Sequence, residues 1–142
     1  MERRQVQLVQ QSFARAAKIS PHVAATFYAE LFAIEPSLRA LFKGDMIAQG
    51  RKLMDMLEQL VAGLDDPEAI LPEAQALALR HVAYGVEAHH YAQVGAALMR
   101  TLRHELGADF TPETRTAWSA AYKLLADAMC EAAYGKDAGP TR

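Results

Sequence analysis

Met46, Gly50, Leu53, Leu57, Leu60 and Leu64 recur at alternating steps of four and three residues. Only an α-helix, at 3.6 residues per turn, brings such positions onto one side; on a strand they scatter over both faces. A helix with so strong an apolar face must bury it against other helices or a sheet, so this stretch alone commits the chain to a layered interior. The second layer is helical too, because the chain holds 28 Ala and 16 Leu against 7 Val and 4 Ile. That bias favours residues that lose little rotamer freedom in a helix over the β-branched ones that fill strands. The fold class expected is all-α.

The 142 residues suffice for one domain with one sizeable core. A hydrophobic share of 51% excludes intrinsic disorder. Fifteen basic residues against seventeen acidic give a net charge of −2, which argues against a nucleic-acid partner. The opening Met1-Glu2-Arg3-Arg4-Gln5-Val6 leads into no apolar run of the secretory kind, and polar residues break every apolar run short of a bilayer span. A cytoplasmic protein with no membrane partner is expected. The single cysteine, Cys130, has no partner for an internal disulfide or a C-x-x-C metal site and reads as a small buried apolar side chain.

Proline and glycine punctuate the rest. Helices are expected over Glu2 to Lys18, from the Ser20-Pro21 cap to about Glu35, from Asp45 to the Asp65-Asp66-Pro67 break, over Glu73 to Tyr84, over Glu87 to Leu106, and from the Thr111-Pro112 cap through the last apolar stripe, with a short turn from Pro36 to Phe42. One domain over 1–134 and a frayed tail over 135–142 complete the layout.

The sequence has no G-x-G-x-x-G, G-x-x-x-x-G-K-[ST], H-E-x-x-H or G-x-S-x-G motif, so nucleotide, zinc-protease and α/β-hydrolase chemistry lack their handles. Of five histidines, His22, His89, His90 and His104 fall at helix starts or on polar faces and read as solvated. His81 lies with Leu77 and Tyr84 on an apolar stripe. A lone histidine there is either a core residue bonded to a backbone carbonyl or a metal ligand whose second ring nitrogen donates to such a carbonyl. Periodicity does not separate the two.

The order of several landmarks does. Phe27-Tyr28, Leu31-Phe32 and Pro36 are followed by Leu41-Phe42, Gln49-Gly50-Arg51-Lys52-Leu53-Met54, Arg80-His81-Val82-Ala83-Tyr84-Gly85-Val86 and Tyr91-Ala92-Gln93-Val94-Gly95, with Trp118 and Tyr122 in the last segment. Over essentially its whole length the chain resembles the bacterial single-domain globins, the group that includes the globin domains of flavohaemoglobins and the Vitreoscilla-type haemoglobins. The resemblance implies a globin fold, six to eight helices in a three-over-three sandwich around haem b. His81 matches the proximal iron ligand, and Phe42 the phenylalanine that wedges against the porphyrin. Val86, Val94 and Tyr91 match further residues of the haem pocket, and Lys52 and Arg80 flank it either as solvated helix-face charges or as partners for the propionates. Tyr28, Gln49 and Leu53 match the distal residues facing the open iron position. A phenol O–H and an amide N–H there favour dioxygen, which becomes partly superoxide-like on ferrous iron, over neutral carbon monoxide. At about 1 kcal/mol each, the two bonds together amount to roughly 30-fold in affinity.

No histidine lies between Lys43 and Leu64, so an open five-coordinate ferrous site is expected. In the resembled family a tyrosine and a glutamate polarise the proximal histidine; Tyr91 fits the first, but Ala133 stands at the glutamate's place, with Glu131 two residues away. Reversible oxygen binding, as carrier, store or supply protein, is the reading that follows. The alternative is nitric oxide dioxygenation, with electrons from a separate reductase because no flavin or nicotinamide domain follows Ala133 before the sequence ends at Arg142. A haem-free interaction module or gas sensor is a third reading. Either a monomer or a homodimer is compatible with the sequence.

Overall fold

The computed structural model describes residues 1–18 and 20–135. Over these it contains six α-helices and three short 3-10 segments, with no strand. The α-helices are α1 (Arg3–Ala17), α2 (Ser20–Ile34), α3 (Met46–Ala62), α4 (Pro67–Ala83), α5 (His90–Leu106) and α6 (Pro112–Tyr134). The 3-10 segments are Pro36–Leu41, Gly63–Asp65 and Gly107–Asp109. None of the described helices is long and apolar enough to cross a membrane. Of the tail expected over 135–142, residues 136–142 lie outside the described residues, as do the side chains of the Ser20-Pro21 cap.

Two of the predicted caps form as drawn. The Asp45 carboxylate accepts from the Ile47 amide at 2.9 Å, and Thr111 Oγ1 accepts from the Thr114 amide at 3.1 Å, each satisfying a first-turn N–H that the helix itself leaves open. Gly85 stops α4 with a φ of +93°, a left-handed conformation that costs glycine little.

The broadest helix packings are between α2 and α5 and between α4 and α6, while α1 lies on α6 and α3 on α2. Val9, Phe13, Leu31, Met54, Leu98, Leu102 and Trp118 form the main core, and a smaller cluster around Ala74, Ala78, Tyr91, Met129 and Cys130 joins α4 to α5 and α6. Trp118 Nε1 donates to Ser12 Oγ at 2.8 Å, and Ser12 Oγ in turn donates to the Leu8 carbonyl at 2.6 Å, so the buried indole N–H that fastens α6 to α1 is satisfied.

The fourth helix departs from the sequence reading. It begins at Pro67, not near Glu73, and runs through Pro72. Pro67 takes the first helical position, where its missing N–H costs nothing. Pro72 removes only the bond to the carbonyl of Glu68, which is exposed and open to water. The fifth helix begins at His90, three residues later than expected.

Candidate functional site

Between α2, the Pro36–Leu41 segment, α3, α4, α5 and α6 lies a cavity of about 760 Å³, within the size range of small-molecule sites. Phe42 closes one end, edge-on to Tyr28 at 5.3 Å and to Phe32 at 5.5 Å between ring centroids. Aliphatic walls come from Leu31, Leu41, Leu57 and Leu98. All ten residues singled out in the sequence line this one space: Tyr28, Phe42, Gln49, Lys52, Leu53, Arg80, His81, Val86, Tyr91 and Val94.

His81 sits in the last turn of α4, its Nδ1 2.9 Å from the Leu77 carbonyl. A carbonyl only accepts, so Nδ1 carries the hydrogen and Nε2 keeps its lone pair. Burial pushes the imidazole pKa down and the nearby Arg80 charge adds to this, against the opposing effect of the Leu77 bond. The ring is a neutral base, the form in which histidine ligates a metal. Tyr91 stacks against it, with centroids 6.4 Å apart and planes 25° from parallel. The Tyr91 hydroxyl is buried and has no hydrogen-bond partner among the described residues. Ala133 is half-buried and Glu131 exposed, and among the described residues no carboxylate bonds the Tyr91 hydroxyl. The neighbouring phenols are spoken for: Tyr122 donates to the Tyr91 carbonyl and Tyr134 to the Val86 carbonyl.

Tyr28 projects from α2 and Gln49 from α3. Gly50 explains how they meet, because a Cβ there would lie 2.9 Å from Ala24 Cβ; without one, α3 approaches α2 closely. Gln49 Nε2 then donates to the Tyr28 hydroxyl at 3.3 Å. A phenol oxygen that accepts keeps its own proton for another partner, and burial raises the Tyr28 pKa beyond the amide bond's opposing pull. The group is a donor throughout the physiological range.

Lys52 and Arg80 are exposed at the rim and make no ion pair among the described residues. Tyr84 corrects the predicted stripe: it is 62% exposed, at the cavity's edge. His90 is a second correction, since it was read as solvated and is buried, lining the cavity while its Nδ1 accepts from the Glu87 amide at 2.9 Å. The spacing that signals this is Glu87-x-x-His90 at a helix start, where a side-chain acceptor pairs with the amide three residues back. His22, also read as solvated, is exposed but bonds Glu105 across to α5 at 2.9 Å.

The cavity fits a flat, apolar macrocycle bearing a metal and two acidic arms. Its walls are aromatic and aliphatic, one imidazole offers a free nitrogen, a buried phenol offers a proton, and two cations stand at the rim.

Comparison with known proteins agrees with this reading. Residues 25–129 match the globin family model. The chain is 36% identical over 125 residues to the flavohemoproteins of Bordetella parapertussis and Bordetella bronchiseptica, covering 81% of this chain. It spans 31% of the length of those relatives. Among solved structures it superposes on an engineered carbene transferase named for a nitric oxide dioxygenase of Rhodothermus marinus, with a TM-score of 0.78 and 31% identity over 88% of this chain and 87% of that one. A bacterial globin from Campylobacter jejuni, 21% identical, shares the fold over 99% of this chain and 97% of its own, with a TM-score of 0.77. Family and relatives together imply haem as the cofactor. A helical sandwich, a cavity with an imidazole on its wall and the match over 25–129 lead to one conclusion: the chain belongs to the globin family.

Proposed function

We propose that the chain binds dioxygen reversibly at haem b, as an oxygen carrier, store or supply protein of the cytoplasm. The observation that carries the reading is the hydrogen bond from Gln49 to Tyr28, which leaves the phenol proton free inside the cavity that also holds His81. Haem b, when bound, would supply a ferrous iron that takes a diatomic and gives more electron density to dioxygen than to carbon monoxide.

Each remaining role belongs to the chain. His81 Nε2 is the iron ligand, oriented by the Nδ1 bond to Leu77. Phe42, Leu53, Val86 and Val94 exclude water and hold the macrocycle, and Lys52 and Arg80 meet its carboxylates. Tyr28 holds its O–H as a hydrogen-bond donor facing the cavity and would donate to a partly negative diatomic there, a charge-assisted bond in a low-dielectric space. Gln49 acts through Tyr28 and sets the direction of that hydroxyl.

The unpartnered Tyr91 hydroxyl favours carriage over turnover. With no carboxylate on it among the described residues, and His81 Nδ1 bonded to a neutral carbonyl, the groups around His81 supply little anionic push toward bound dioxygen. Nitric oxide dioxygenation with a separate reductase is the second reading. It rests on the R. marinus structural neighbour and on the flavohemoprotein relatives.

The test is the visible spectrum of the ferrous haem protein under argon, in air and under argon again. A five-coordinate spectrum that changes in air and returns under argon is expected. A six-coordinate ferrous spectrum, or oxidation to the ferric state on first exposure to air, overturns the proposal. Adding nitric oxide to the air-equilibrated protein, with and without a flavin reductase, then decides the second reading: repeated nitrate production only with the reductase supports it, and a single turnover in both removes it.

A further inference from the structure

A second cavity lies beneath the N-terminal half of α4 and adjoins the first, with Leu57, Leu98, Tyr122 and Leu125 forming the wall common to both. It encloses about 270 Å³ between Val9 of α1, Leu60 of α3, Ala74 of α4, and Trp118 and Ala128 of α6. Its origin can be read from the sequence. The α4 and α6 positions that face it include Ala74, Ala121 and Ala128, whose methyl groups do not fill the gap between the helices. The corner is held open because Ile70 seats on Gly63, so closely that a Cβ there would lie 1.9 Å from Ile70 Cγ2. The segment from Pro67 therefore has no room to settle inward at that end.

The lining specifies its ligand. Both polar handles in the interior are engaged, the Trp118 N–H with Ser12 and the Tyr122 hydroxyl with the Tyr91 carbonyl. The single charged lining residue is Glu68, an exposed acid, and no lysine, arginine or histidine joins it. The way in is apolar, past Leu71 and Leu124, which are 41% and 39% exposed. A dry apolar cavity of about 150 Å³ suffices for benzene, so this one takes a molecule nearly twice that size.

We propose that this cavity is a second ligand site, for a neutral, compact, apolar molecule of about the size of a two-ring aromatic. A carboxylate of the same shape is refused, since it would lose its hydration without gaining a donor and would meet Glu68 at the rim.

Naphthalene and 2-naphthoate are the probes, titrated into the carbon monoxide-liganded ferrous haem protein so that the haem cavity is filled, with binding followed by ligand-observed NMR. Saturable binding of one naphthalene per chain is expected, with 2-naphthoate weaker by at least about tenfold. Ala128→Phe fills the space and lowers naphthalene affinity by about tenfold or more with haem content and carbonyl spectrum unchanged. Ala128→Leu is the milder variant, with an intermediate loss, should the larger one fail to fold. Glu68→Gln narrows the gap between the two probes. No saturable naphthalene binding, affinity unchanged in the folded Ala128 variant, or equal affinity for the two probes would overturn the proposal.

Discussion

Replacing Tyr28 by Phe removes one hydroxyl from the cavity wall and leaves the aromatic packing with Phe32 and Phe42 in place. The lost bond to bound oxygen is worth about 1 kcal/mol net, or roughly a fivefold faster release. Gln49→Leu has a smaller effect, because its donor lies at 3.3 Å from the Tyr28 oxygen, beyond the usual 2.9–3.0 Å, and a bond that long orients the phenol only weakly. About 0.5 kcal/mol, or roughly twofold, is expected. The two residues act in series, so the double variant releases oxygen about as fast as Tyr28→Phe alone, and the cycle shows a coupling energy near the Gln49 effect itself. Stopped-flow mixing of the oxygenated protein with dithionite and carbon monoxide gives the off-rates, and carbon monoxide release serves as the control that barely changes. A double variant roughly tenfold or more faster than the parent, at least the product of the two single effects, would mean that Gln49 acts on the ligand by itself, and would refute the serial arrangement.

Four further outcomes are expected. His81→Ala loses haem or holds it weakly, read as the haem-to-protein absorbance ratio after gel filtration; full retention with an unchanged ferrous spectrum would remove His81 as the ligand. Tyr91→Phe deletes a buried, unpartnered hydroxyl and stabilises the haem protein by about 1–2 kcal/mol in urea unfolding, whereas destabilisation would reveal a partner for it. Ser12→Ala strands the buried Trp118 N–H and costs about 1–3 kcal/mol, a cost that Trp118→Phe in the same chain partly relieves. Burial pushes the Glu105 carboxyl up, yet hydrogen bonds from Thr26 and His22 outweigh it and hold the pKa below its ordinary value. The folded pKa is thus below the unfolded one, so the contribution is complete above the unfolded value of about 4.3 and is lost as pH falls through the folded value. Stability measured by urea from pH 7 to pH 3 should differ most between parent and Glu105→Gln at neutral pH, and converge in acid; parallel curves would refute the assignment.

Much of this was legible in the sequence because it depends on local rules. Asp45 and Thr111 cap helices since a short acceptor before an apolar stripe has an orphan amide to meet. The placement of His81 on the cavity wall followed from landmarks spaced along the whole chain. Pro72 misled because a proline was read as a boundary, whereas its cost depends on whether water can reach the carbonyl it strands. His90 was hidden for the opposite reason: the amide it satisfies and the cavity it lines are set by how α5 leaves the corner after Gly85. Nor could spacing show that Gln49 points at Tyr28, since that contact depends on how closely α3 approaches α2 at Gly50.

The bond between Ser12 and Trp118 spans 106 residues of chain and has a consequence during synthesis. At about 5–20 residues per second, the ribosome adds the partner of Ser12 roughly 5–20 s after Ser12 itself. Through that interval Val6, Val9 and Phe13 lack the cover that α6 gives them in the folded chain. A nascent chain of this design cannot close its core piecemeal from the N-terminus. It waits for α6 with part of an apolar face uncovered.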